Sequence, residues 1–140
     1  MSRNQREVTM PSATQCELAR VYVRNQGGQV SEESIRDDAP YDVVFEAEAG
    51  KTLWDQGGAY KLLMVLKDLS SSTTVIQQAV EGTFGDPNWP NTVLQYAFPQ
   101  TPAGAGADDH VFQALGVLSA GKHDPIVDSA QSDVVIITQP

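Results

Sequence analysis

The sequence predicts an all-β fold, a sandwich of about seven antiparallel strands preceded by an N-terminal arm. Three observations predict it. Apolar residues recur at every second position along most of the chain. No stretch of about eleven residues or more keeps the 3.6-residue apolar stripe of an amphipathic helix. The candidate strands are joined by short connections rich in Gly, Pro, Asn and Asp, without crossover helices between them. At 140 residues the chain has the length of one domain, read as a sandwich over residues 16–140 after an arm over residues 1–15.

The arm, "MSRNQREVTMPSATQ", has no periodicity of its own and no apolar run resembling a secretory signal. The first strand is "ELARVYVRN", with Ala19, Val21 and Val23 expected on one face and Arg20 and Arg24 on the other. "SEESIRDDAP" reads as a helical turn at most, with Ser31 as N-cap and Ser34 where a capping box needs Glu or Gln. "YDVVFEAEA" alternates most cleanly: Tyr41, Val43, Phe45, Ala47 and Ala49 against Asp42, Glu46 and Glu48. "YKLLMVLKDL" is apolar on both faces and reads as a central strand. "TTVIQQAVEGTF", "TVLQYAF", "HVFQALGVLSA" and "DVVIITQ" complete the set, with a bend expected at Gly116. The expected core comprises Val43, Phe45, Leu62, Met64, Leu66, Leu115, Val117 and Ile136.

The segment "HVFQALGVLSAGKHDPIVDSAQSDVVIITQ" resembles the F and G strands of immunoglobulin-like and fibronectin-type sandwich modules. In those folds an alternating strand is followed by a loop that ends in Ser, here Ser129 or Ser132, just before the last strand. The resemblance implies a fold and no particular activity. The antibody inter-sheet disulfide is excluded by the single cysteine, Cys16, and Phe112 and His110 stand where a tyrosine corner would place Tyr.

The formal charge is −9, and it is distributed unevenly. Residues 1–40 carry all five arginines against six acids, whereas residues 41–140 carry four lysines against twelve acids. This balance argues against nucleic acid as a partner, which requires clustered cations. It lets Arg3 and Arg6 of the arm attract the acidic body of another subunit. No apolar run approaches the length of a membrane helix, and the expectation is a cytoplasmic protein without a membrane span.

Candidate chemistry is sparse. "AGKT" has Phe45 where a P-loop needs Gly, and "GAGADD" lacks the third glycine of a dinucleotide fingerprint. Asp108, Asp109, His110, His123 and Asp124 have no zinc-motif spacing, since His110 and His123 lie at opposite ends of one strand. Asp86, Asn88, Asp108 and Asp109 could pool oxygen ligands for calcium, but they too flank a strand at its two ends. Cys16 reads as a small buried hydrophobe. No cofactor and no catalytic or metal residue is expected.

"GTFGDPNWPN" holds Trp89, one of two tryptophans, between two prolines. Its indole is either a plug over the end of the sandwich or a sugar platform, with Asp86, Asn88 and Asn91 supplying polar contacts. The plug is favoured because binding aromatics come in clusters. The expected function is non-enzymatic: a structural or protein-interaction subunit of a homo-oligomer or larger assembly. It would act through sheet edges, through the arm (Arg3, Arg6, Val8, Met10, Pro11) and through the loop with Asp86, Asn88 and Trp89. A glycan-binding module is the alternative, and a hydrolytic enzyme the third.

Overall fold

The computed structural model describes residues 15–121 and 126–140. Among these described residues, nine strands form two facing sheets: β1 (Cys16–Asn25), β2 (Ser34–Arg36), β3 (Tyr41–Ala49), β4 (Ala59–Asp68), β5 (Thr73–Thr83), β6 (Val93–Gln100), β7 (Val111–Ala120), β8 (Ile126–Gln131) and β9 (Val135–Thr138). The smaller sheet has the order β1-β3-β6. The larger has the order β2-β9-β7-β4-β5, with β8 also paired to β7. All pairs are antiparallel except β2 with β9. The all-β sandwich expected from the alternation is thus the fold, with more strands than the sequence suggested.

The additional strands lie where the pattern was too short to read. "SIR" is not a helical turn: Ile35 is buried and the segment runs parallel to β9, with Ile35 opposite Ile137. "IVDSAQ", expected as loop, is β8, so β8 and β9 share one edge of β7, at Leu115–Ala120 and Val111–Phe112 respectively. Ser132 holds the crossing between them. Its N–H donates to the Ala114 carbonyl and its Oγ accepts from the Ala114 N–H at 2.9 Å. A five-residue helix, α1 (Lys51–Asp55), begins inside "AGKT" and lies between β3 and β4.

Val43, Phe45, Leu62, Met64 and Leu66 are buried in the core as expected, and Phe45 meets Phe98 edge-on with ring centroids 5.1 Å apart. Three expected core residues are not. In β7 the inward set is Phe112, Ala114, Gly116, Leu118 and Ala120, so Leu115 and Val117 turn to the outer face. In β9 the buried residues are Val135 and Ile137, and Ile136 is 45% exposed. The cause is common to both: each strand is apolar on both faces, and with a side-chain period of two a one-residue error moves the whole set.

β1 departs from alternation differently. A bulge between Leu18 and Arg20 leaves Ala19 unpaired and exposed, and puts Leu18 and Val21 into the same core. β7, where a bend is expected at Gly116, runs unbroken through that residue and without a register shift against β4. A Cβ at that position would lie 2.7 Å from both Phe45 Cζ and Val21 Cγ2, so the glycine admits side chains from the facing sheet. The irregularity in β5 is at Val75, which is skipped between the pairs Leu66–Ile76 and Lys67–Thr74.

Candidate functional site

Trp89 lies at the end of the sandwich where β4 begins and β5 finishes. Its indole is completely buried. The ring packs edge-on with Tyr60 and Phe84, centroids 5.0 Å and 4.9 Å away, and Trp54 of α1 packs on Phe84 with centroids 5.4 Å apart. Asp86 fastens this loop from within. Its carboxylate accepts from the backbone N–H groups of Trp89 (2.9 Å), Asn88 (3.0 Å) and Thr83 (3.2 Å), and from the Tyr60 hydroxyl at 2.8 Å.

Burial alone raises the Asp86 carboxyl, but these hydrogen bonds outweigh it and hold the pKa below the ordinary value. Burial and the adjacent Asp86 push the Tyr60 phenol up. A Cβ at Gly82 would run into this same carboxylate. Trp89 is thus the plug over the end of the sandwich that the sequence reading favours above a sugar platform. The indole presents no surface, and the carboxylate is occupied by the turn it builds; Asn88 is exposed beside them.

A second set of titratable groups lies towards the opposite end of β4. Asp68 accepts from the Ser70 N–H at 3.0 Å, and its second oxygen pairs with His110 Nδ1 at 2.5 Å. Burial again raises this carboxyl, and the bonds from His110 and Ser71 reverse the shift. Nearby, Asp37 is held above the ordinary carboxylate range by the Asp108 carboxyl hydrogen-bonded to it, by burial, and by the charges of Asp108 and Asp38. Asp108 Oδ1 is buried without a hydrogen-bond partner among the described residues. Sequence reasoning passed over both pairs, because each joins residues far apart in the chain.

From Tyr60 to Asp68 is roughly 26 Å at about 3.3 Å per residue, so Asp86 and Asn88 do not converge with Asp108 and Asp109. His123 and Asp124 lie outside the described residues. Among those described, no group of three or more His, Cys, Asp or Glu is placed to hold a metal ion. Cys16 is buried, and burial pushes its thiol up to about 12.

The outer face of the three-stranded sheet is organised in four rows by the strand register: Glu17, Glu48 and Val93; Arg20, Glu46 and Gln95; Tyr22, Val44 and Ala97; Arg24, Asp42 and Pro99. Polar contacts bind the rows together. Arg20 lies 4.2 Å above the Tyr22 ring, Gln95 Nε2 donates to the Tyr22 hydroxyl at 3.0 Å, and Arg24 pairs with Asp42 at 3.0 Å. The arm residues Arg3, Arg6, Val8, Met10 and Pro11 lie outside the described residues.

No family model and no curated protein matches the chain. Among solved structures it is similar to part of a glycosyl hydrolase family 2 (GH2) member from Bacteroides cellulosilyticus DSM 14838, with a TM-score of 0.53 and 13% sequence identity. The likeness covers 87% of this chain and 15% of that one. At this identity it shows the sandwich fold alone. No helix among the described residues is long and apolar enough to cross a membrane.

Proposed function

We propose that this chain is a non-enzymatic, immunoglobulin-like interaction or structural subunit that assembles with further copies of itself through its sheet edges and N-terminal arm. The observation that carries the reading is the edge strand β5. It pairs with β4 on one side and ends the order of its sheet on the other. Its eleven residues, "TTVIQQAVEGT", contain one charge, Glu81, and no proline. Exposed edges in monomers are ordinarily shortened, charged or interrupted by proline, because their free backbone groups recruit other strands. β6, one of the two edges of the smaller sheet, does carry such a residue in Pro99.

Light scattering of the full chain tests the reading. A mass of two or more copies is expected, and Gln77→Lys with Ala79→Lys on β5 should lower it while the melting temperature holds. A monomeric parent protein refutes self-assembly. An oligomer unchanged by the lysines refutes the role of this edge.

A further inference from the structure

The outer face of the larger sheet is apolar where that of the smaller sheet is charged. Leu62, Met64 and Leu66 of β4 and Leu118 of β7 point inward and have no exposed surface. The alternate residues, Leu63 and Val65 on β4 and Leu115 and Val117 on β7, point outward and are only partly covered. The register sets Leu115 beside Val65 and Val117 beside Leu63, so the four side chains form one contiguous patch at the centre of the sheet. Val127 on β8, 61% exposed, and Ile136 on β9, 45% exposed, extend it towards its two ends. An antiparallel sheet with one wet face alternates apolar and polar residues, whereas β4 and β7 carry the pattern of strands covered on both sides.

We propose that two copies of this chain pack sheet against sheet through this face, with Leu63, Val65, Leu115 and Val117 of each copy at the centre. The proposal rests on the self-assembly reading above and adds a face to the β5 edge that borders it. Charge and area select a second copy as the occupant. Each copy carries a formal charge of −9, so most of its surface repels another copy. On β4, β5, β7 and β8 the outward charges are Lys61, Lys67 and Glu81, and Lys61 pairs with Glu81 at 3.5 Å. Two such faces therefore meet without the repulsion that Glu46 and Glu48 bring to the smaller sheet, and a centre poor in charge is the composition of a protein interface. Four neighbouring strands about 4.8 Å apart, the central two ten residues long at about 3.3 Å per residue, present roughly 600 Å². A pair of faces then removes about 1,200 Å² from water, the size at which stable interfaces begin. An identical patch on both partners is also what a two-fold dimer requires.

The test is cross-saturation magnetic resonance on the full chain. Unlabelled copies are irradiated at their aliphatic protons, and intensity loss is read at the amides of deuterated, isotope-enriched copies in the same sample. Loss is expected to be greatest at Leu63, Val65, Leu115 and Val117, with the amides of β1, β3 and β6 unchanged. Leu63→Lys with Val117→Lys should raise the dissociation constant by at least about tenfold, read by sedimentation, while circular dichroism keeps its strand signature. If the double variant does not fold, cross-saturation of the parent protein decides alone. A folded double variant that associates as tightly as the parent overturns the proposal. Loss confined to β5, or centred on β1, β3 or β6, in an oligomeric parent overturns the face and leaves self-assembly standing. A monomeric parent, whose face is then covered by another partner or by the chain's own segment, overturns both.

Discussion

Replacing Trp89 by Ala isolates the packing of one ring, because the bonds that hold its backbone come from the Asp86 carboxylate and remain available in the variant. An indole of about 200 Å² removed from water contributes roughly 5 kcal/mol at about 25 cal/mol per Å². Ala retains a small part of that, while the cavity left between Tyr60 and Phe84 adds a penalty. Buried Trp→Ala changes accordingly cost about 3–5 kcal/mol. For a domain of this length each kcal/mol moves the melting temperature by roughly 3–5 °C, so Trp89→Ala should melt about 10–25 °C lower. Trp89→Phe should lose less, since it keeps an aromatic edge against Tyr60 and Phe84 and gives up only a 3.4 Å bond to the Thr92 carbonyl. Thermal unfolding followed by circular dichroism reads both. A Trp89→Ala protein that melts within about 2 °C of the parent would show that the indole does not close the end of the sandwich.

Asp37→Asn is expected to raise the melting temperature at neutral pH. A carboxyl whose pKa is raised by folding favours the fold below its unfolded value and weakens it as pH rises through the folded one, so the gain should vanish below about pH 4. Asp86→Asn has the opposite sign. Its depressed folded pKa contributes stability above the unfolded value that is lost as pH falls through the folded one, and melting curves should show a deficit of several degrees at neutral pH that closes in acid. The Cys16 thiol should resist a thiol-titrating reagent in the native protein and react promptly once denaturant is added. Gly116→Ala should cost about 1–3 kcal/mol in denaturant unfolding, because the added methyl meets Phe45 and Val21.

Much of the sandwich was legible wherever one face of a strand is wet. Glu46 and Glu48 mark the outer side of β3 and thereby place Val43, Phe45 and Ala47 inside. β7 and β9 offer no such contrast: Leu115 and Val117 are as apolar as Leu118, and Ile136 as apolar as Ile137. There the inner face was set by tertiary fit that local composition does not record. β2 escaped notice because three residues are too few for a period, and its pairing partner lies a hundred residues later. At the Trp89 loop the reading as a plug followed from two prolines and scattered aromatics. The part played by Asp86 as acceptor for three backbone donors could have been suspected from Asp followed by Pro and Asn, a composition that favours side-chain-capped turns.

The absence of a side chain at Gly116 also bears on how the chain avoids a wrong structure of nearly equal hydrophobicity. Were β7 to slide by one position against β4, Leu115 or Val117 would point into the space taken by Phe45 and Val21, and no gain in burial would compensate, since both faces are equally oily. The glycine thus works as a keyed gap. It accepts the opposing ring in one alignment and leaves it nowhere to go in the neighbouring ones. A strand that is ambiguous by composition becomes single-valued through one missing methyl group, and a mutation that fills the gap should broaden the set of conformations the sheet samples as well as lower its stability.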